Sequence, residues 1–300
     1  MPGNVGFGMT VHPPAHPLAT LAAVTTRWAV LVTPPLPGAD NMALDHALMV
    51  RATRTGEAVL RIYTWRHPTL SFGRHETAIG AYDPAAIAAA GLSVVRRPTG
   101  GRAVLHDDEI TYSVTAPLST EQPRRAHARA LYAAINALLL DGLARLGVSA
   151  ELAARDPGTS TPRSLGTGPC FDTASDGEVV VAGQKLVGSA QWREDGAVLQ
   201  HGSMLISGHR ARLAALSAQR VPSAAIPATV MPAPAAALRD LLPHVPAPAD
   251  VALALGAVLD DALTDAGAPA ARIMFPGPET ASMTASMRSR YEDDAWTWRR

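Results

Sequence analysis

The chain has 300 residues and a formal net charge of zero, with 26 basic and 26 acidic side chains. Charged residues make up only 17% and hydrophobic ones 47%, which allows a sizeable core and argues against general nucleic-acid binding, since that relies on a basic surface. A single cysteine, Cys170, excludes an internal disulfide framework or a cysteine-cluster metal site, and no run approaches the roughly 18 apolar residues of a membrane span.

Residues 1–25 are rich in Pro, Gly and His, show no period and lack the basic and apolar regions of a signal peptide, so they read as a flexible leader. A reducing, cytoplasmic setting is the simplest expectation. Residues 27–33 look like a strand broken by Pro34, Pro35 and Pro37. A helix over Asn41–Arg54 follows, capped by Asp40. Val59–Trp65 alternate as a half-buried strand, and Thr69–Phe72 form another that ends at Gly73. Asp83, Pro84 and Gly91 punctuate a short helix with a cap, a first-turn proline and a terminal glycine. Strands at 92–96, 102–106 and 110–115 come next, with Pro98-Thr99-Gly100-Gly101 as the first turn.

A long helix over 123–146 stops at Gly147, and residues 156–169 form a loop rich in Pro, Gly, Ser and Thr. A meander then runs through strands 178–182, 185–193 and 197–206, with turns at Gly183-Gln184 and Asp195-Gly196. From 208 the character is helical, 220–234 is a Pro/Ala linker, and helices lie near 234–242, 249–266 and 278–298. These elements predict an α+β fold, a largely antiparallel mixed sheet with packed helices and a small helical C-terminal appendage. The expected division is a leader over 1–25, a catalytic domain over 26–215 and a helical extension over 216–300.

Lys185 is the only lysine; every other one of the 26 basic residues is arginine. Lysine is a compact point charge whose amine can lose its proton, so its survival in an arginine-biased chain marks the position, although a solvated lysine on an ordinary hairpin has the same spelling.

Three segments carry chemistry. In residues 96–107 the pair Gly100-Gly101 lets backbone amides approach a ligand, and Arg96, Arg97 and Arg102 bracket it as groups suited to a phosphate or carboxylate. His106 follows as a proton-transfer or turn-stabilising group. The same spelling also fits a plain hairpin with basic ends. In Pro169-Cys170-Phe171-Asp172 the thiol can attack an activated acyl group, or it can be a buried small hydrophobe. In residues 183–205 Lys185 begins a strand after a turn, where it can donate to an acyl oxygen as charge develops. Gly188, Ser189 and Ala190 leave room for a ligand, and His201 and Gly202 share that space. Asp45-His46 and Asp107-Asp108-Glu109 raise the question of a metal, but the histidines show no ligand spacing.

The order of Asn-Met-Ala-Leu-Asp at 41–45, Leu-Arg-Ile-Tyr-Thr-Trp at 60–65, Arg-Arg-Pro-Thr-Gly-Gly-Arg at 96–102, Cys-Phe-Asp at 170–172, Gly-Gln-Lys-Leu-Val-Gly-Ser-Ala-Gln at 183–191 and Leu-Gln-His-Gly-Ser at 199–203 resembles the biotin/lipoate A/B protein ligase family. Within it the chain is similar to the LipM-type octanoyltransferases, as is the stretch at 290–300. The resemblance covers about 27–206 and that last stretch. It implies a core like that of class II synthetases and biotin ligases. The activity it implies is transfer of an octanoyl group from acyl carrier protein to a lysine of a lipoyl domain, such as that of glycine cleavage H protein. Cys170 would carry the acyl group and Lys185 would contact its carbonyl. Arg96, Arg97, Thr99, Gly100, Gly101, His106, Gly188, Ser189, Ala190 and His201 would border the substrate, with Val104, Leu186 and Val187 near the acyl chain. Arg96, Arg97 and Arg124–Arg125 would steer an acidic carrier.

No cofactor or metal is expected; ATP and Mg would enter only if the chain were a lipoate-protein ligase, and a non-catalytic acyl-binding scaffold is the remaining alternative. Gly-Gly-Arg, where ligases often carry Gly-Gly-Gly, and the cysteine itself favour transfer. One departure is Asp176-Gly177, which stand where LipM-type proteins tend to have an aromatic and a tyrosine before the glutamate matched to Glu178.

Overall fold

A computed structural model describes residues 16–118, 124–153, 177–207 and 235–299. Cys170 and its neighbours, the 156–169 loop, the 220–234 linker, the first 15 residues and the expected boundary at 215/216 lie outside these residues.

The first described elements are a short helix α1 (Ala19–Val24), strand β1 (Trp28–Val32) and helix α2 (Gly38–Thr55). The α2 helix starts three residues earlier than the sequence pattern suggests. Pro37 is its N-cap, and Asp40 lies in the first turn rather than capping it, where its charge still complements the amide dipoles. Strand β2 (Ala58–Tyr63) is buried along its whole length and not on one face only, because helices cover both sides of the sheet here. Its alternation therefore separates two interiors. Leu60 and Ile62 join the larger core, whereas Arg61 and Tyr63 turn towards α2.

Strand β3 (Thr69–Phe72), helix α3 (Pro84–Ala89), strand β4 (Ser93–Arg96) and strand β5 (Val104–His106) form a small unit. Asp83 caps α3 by accepting from the Ala85 and Ala86 amides. The expected hairpin between β4 and β5 is not there. The three-stranded sheet runs β4-β3-β5, with β3 parallel to β4 and antiparallel to β5. Residues 97–103 therefore cross the end of β3. Gly101 takes φ +95°, and its carbonyl passes so close to Gly73 that a Cβ there would meet it at 1.7 Å.

Strand β6 (Glu109–Pro117), helix α4 (Arg124–Arg145) and strands β7 (Glu151–Leu152), β8 (Val179–Val181), β9 (Gln184–Glu194) and β10 (Ala197–Leu205) follow. The β8–β9 turn is centred on Ala182-Gly183, one residue earlier than expected, and the β9–β10 turn on Asp195-Gly196. All four residues have positive φ, as a two-residue hairpin turn of this hand demands. The chain continues with helices α5 (Leu238–Leu241) and α6 (Pro248–Asp265), strand β11 (Arg272–Ile273) and helices α7 (Pro278–Glu292) and α8 (Asp294–Thr297).

The main sheet has eight strands in the order β11-β1-β2-β6-β10-β9-β8-β7, antiparallel except where β1 pairs with β2 and β11. On one face α1, α4 and α6 close the larger core over Leu60, Val114, Leu186 and Val198. On the other face α2 packs over Leu31 and Val59, and α7 lies against α2. This is the α+β fold with a largely antiparallel sheet that the pattern predicts. No helix among the described residues is long and apolar enough to cross a membrane.

Candidate active site

The register of the main sheet places Arg61, Ser113, His201 and Ala190 side by side on successive strands, with Tyr63, Thr111, Ser203 and Gly188 in the next row. Cross-strand neighbours share a face, so these two polar rows both look towards α2 and the 97–103 crossing. A cavity of about 380 Å³ lies over them. Gly100, Gly101 and Arg102 form one wall, Gly188–Ala190 another, and Met42, Trp65 and Val104 give it apolar surface. That size and mixed lining suit a small apolar ligand held by a few polar groups.

Asp45 anchors the first row. It is fully buried and receives hydrogen bonds from Arg61 Nη1 (2.7 Å), Ser113 Oγ (2.8 Å) and Tyr63 Oη (2.9 Å). Burial alone would raise its pKa. The Arg61 guanidinium, assisted by His201, outweighs that and holds the carboxyl below its ordinary value. Arg61 spends its remaining donors on Asn41 and Thr33. Burial drives the Tyr63 phenol far above its usual pKa, so it stays a donor. An ionised Asp45 can only accept, so His201 Nδ1, 3.4 Å from Asp45 Oδ2, is the protonated ring nitrogen. Nε2 is then the acceptor, and Thr99 donates to it at 2.6 Å. Burial lowers the pKa of His201, in keeping with a neutral ring.

A second carboxylate–imidazole–hydroxyl chain lies beside the first. His106 Nδ1 is 2.7 Å from Glu109 Oε1, and His106 Nε2 is 2.7 Å from Ser71 Oγ. Thr111 and Ser203 also donate to Glu109 Oε1, and Trp65 stacks on the His106 ring at 3.9 Å. The second chain ties the main sheet to the small one, and the first ties it to the 97–103 crossing. Of the acidic residues that raised the question of a metal, Asp45 and Glu109 orient histidines, and Asp108 pairs with Arg239. Among the described residues, no group of three His, Cys, Asp or Glu side chains is placed to hold a metal ion.

Lys185 is buried, and its Nζ donates to Glu178 Oε1 at 2.7 Å; both residues line the cavity. His106, His201, Gly100, Gly101, Gly188, Ser189 and Ala190 line it as well. The Ser189 hydroxyl turns to Tyr112 Oη on the α4 side, at 2.7 Å. Arg97 reaches the lining but also ties the crossing together, donating to the carbonyls of Ser71, Gly100 and Arg102. Thr99 sits one layer behind, through His201. Arg96, expected beside the substrate, is placed elsewhere. Its fully buried guanidinium points away from the cavity into main-chain carbonyls, so it presents no charge to a partner. Val104 lines the cavity, whereas Leu186 and Val187 belong to the larger core. Sequence reasoning missed Glu178 as the partner of Lys185, and Arg61 and Tyr63 as buried supports of the site. A charged residue in the middle of an otherwise apolar β2 was the available signal.

Comparison with known proteins gives the family of the chain. Residues 37–259 match the lipoyl protein ligase A/B catalytic domain. Two curated relatives named octanoyltransferase LipM are similar in sequence. The one from Symbiobacterium thermophilum is 43% identical over 185 residues, 60% of this chain and 66% of the relative. The one from Kyrpidia tusciae is 45% identical over 183 residues, with the same shares. The aligned part thus spans just under two thirds of these relatives' length.

Among solved structures, lipoate-protein ligase A bound with ATP superposes with a TM-score of 0.66 at 21% identity, covering 90% of this chain and 97% of that one. A bi-partite lipoate protein ligase from Thermoplasma acidophilum, described with its E2 lipoyl domain, superposes with a TM-score of 0.67 at 20% identity, covering 91% and 96%. At these identities the superpositions speak for the fold. With most of its length inside one family's domain and the cavity built from that domain's strands, the chain belongs to the lipoyl protein ligase A/B catalytic domain family.

Proposed function

We propose that the protein is an octanoyltransferase that moves an octanoyl group from acyl carrier protein to a lysine of a lipoyl domain, through a thioester on Cys170. The observation that carries this reading is the identity of 43% and 45% with relatives named octanoyltransferase LipM. The cavity supports it, since one wall is glycine backbone, another is made of small residues, and a buried lysine stands among its polar groups.

In the first step the Cys170 thiolate attacks the thioester carbonyl. The C–S bond to the carrier breaks, and the carrier thiolate leaves and takes up a proton. In the second step the neutral amine of the target lysine attacks the acyl-enzyme, the amine loses a proton, an amide forms, and the Cys170 thiolate is released. Exchange between thioesters is near balance and conversion of thioester to amide is downhill, so no nucleotide is consumed. Lys185 stabilises the oxyanion of each tetrahedral intermediate, a contribution of about 3 kcal/mol for one such donor. The Gly100–Gly101 backbone approaches the acyl chain where a side chain would block it.

The test is transfer from octanoyl-loaded carrier protein to an isolated lipoyl domain, followed by the mass of the acceptor. Modification without ATP that disappears in Cys170→Ala supports the reading. Modification that requires free octanoate, ATP and magnesium makes the protein a ligase instead, and binding of octanoate with no transfer makes it a scaffold.

A further inference from the structure

The clearest tie outside the cavity is made by Arg96, at the end of β4. Its side chain is fully buried, and every hydrogen bond it makes goes to a main-chain carbonyl. Nε donates to Trp296 (2.9 Å) and Thr297 (3.0 Å), Nη2 to Arg299 (3.2 Å), and Nη1 to Glu76 (2.7 Å) and Gly73. The guanidinium thus bridges two segments that are distant in sequence, 73–76 and 296–299. Its planar fork of five donors makes this possible; an ammonium has three donors and no fixed plane.

Segment 293–299 answers these bonds. Trp296 Nε1 donates to the Arg96 carbonyl at 2.9 Å, and the Trp296 ring lies between the Arg290 and Arg299 guanidinium groups, each 4.0 Å from its centroid. The Arg299 carbonyl accepts from the Ala78 amide, and Trp298 packs on the Phe72 ring of the small sheet. Asp293 caps α8, which presents these carbonyls.

The 73–76 loop, held in this way, touches the cavity wall. The Arg74 amide donates to the Thr99 carbonyl at 2.8 Å, Gly73 meets Gly101 without room for a Cβ, and Glu76 Oε1 accepts from the Ala103 amide at 3.0 Å. Arg97, next to Arg96, holds the carbonyls of Gly100 and Arg102. A series of hydrogen bonds therefore runs from Trp296 and Arg299 through Arg96 and the 73–76 loop to Thr99 and Ala103, which flank the wall formed by Gly100, Gly101 and Arg102, and Gly73 packs directly against Gly101.

We infer that segment 293–299 is a positioning element for the cavity wall, with Arg96 as its hub, and that it sets acyl-chain affinity without touching the reacting atoms. Only the identity of the ligand rests on the function proposed above. A guanidinium that joins two carbonyl-bearing segments fixes where each of them stands, and the Gly100–Gly101 stretch of the wall has no side chains of its own with which to hold position.

Hydrogen exchange followed by mass spectrometry, on the full chain and on Trp296→Ala, Trp296→Phe and Arg96→Lys, tests this independently of any activity. Exchange at the amides of Arg74, Ala78, Arg97 and Ala103 is expected to rise roughly tenfold or more in Trp296→Ala and Arg96→Lys, while those of β6 and β10 stay protected. Trp296→Phe, which keeps the ring between the two guanidinium groups, is expected to fall between these and the full chain. With an octanoyl donor the same variants raise KM by about tenfold and leave kcat within about twofold. Increased exchange confined to 293–299 in Trp296→Ala, or an unchanged KM, overturns the inference. If Arg96→Lys unfolds and all amides exchange, Trp296→Phe decides between the two outcomes. If the full chain transfers no octanoyl group, the proposed function fails, and the exchange pattern still accepts or rejects the positioning role.

Discussion

Lys185 and Glu178 form a buried ion pair, Nζ to Oε1 at 2.7 Å, in the wall of the cavity. A lysine held by a carboxylate has a fixed direction, which is what an oxyanion-stabilising group needs. Lys185→Arg keeps the charge but replaces the compact head with a wider planar one. The expected outcome is a fall in kcat of about a hundredfold, close to 3 kcal/mol in the barrier, at near-normal melting temperature. Unchanged turnover in a steady-state assay would remove Lys185 from the mechanism.

Thr99 and His201 give a prediction about stability. Thr99→Val removes the hydroxyl that donates to His201 Nε2 and leaves a buried acceptor unpaired, at a cost of about 1–3 kcal/mol. Thr99→Ser keeps the hydroxyl and should lose far less. Urea denaturation of the two variants checks the difference; equal midpoints would show that the Asp45–His201–Thr99 chain does not hold the crossing in place.

Asp45→Asn is expected to be the most damaging single change in the site. It takes the charge from a carboxylate that holds a buried guanidinium, and breaking a buried pair of this kind costs about 3–5 kcal/mol. Chemical denaturation measures the loss. A value below about 1 kcal/mol would mean that Arg61 is satisfied by Asn41 and Thr33 alone.

Stability should fall on the acid side. Burial, followed by the charges of Arg290 and Arg74, lowers the His46 pKa from 6.5 to about 4, and burial also lowers that of His201. The unfolded chain therefore binds protons before the folded one does, so stability is full above 6.5 and declines as pH drops towards 4. Asp45 acts in the same direction lower down, since its stabilisation is present above its unfolded value of 3.8 and is lost as pH falls through its lower folded value. Melting temperatures across this range should drop steadily, with a shallower slope in His46→Asn. A flat profile would contradict the neutral state of the half-buried His46 and the buried His201.

The legible parts of the molecule were those governed by local rules. Asp83-Pro84 with Gly91, the Asp195-Gly196 turn and the period of α6 each determine their own element. What the sequence hid was set by non-local pairing. Gly100-Gly101 look like a hairpin turn in isolation, because nothing nearby in sequence reveals that β3 slots between β4 and β5. Arg96 and Arg97 are adjacent and look equivalent, yet strand alternation sends them to opposite sides. One goes to the carbonyls of 296–299 and the other to the cavity wall. Asp45 and Glu109 were visible as acids, but their work on His201 and His106 depends on sheet register.

The proposed route of acyl transfer passes through Cys170. The most direct measurement is the intact mass of the protein after incubation with octanoyl-loaded carrier protein in the absence of ATP. The expected result is a gain of one octanoyl group, removed by hydroxylamine, absent in Cys170→Ala, and discharged when a lipoyl domain is added. An adduct that persists in Cys170→Ala, or one that appears only with ATP and free octanoate, would contradict it.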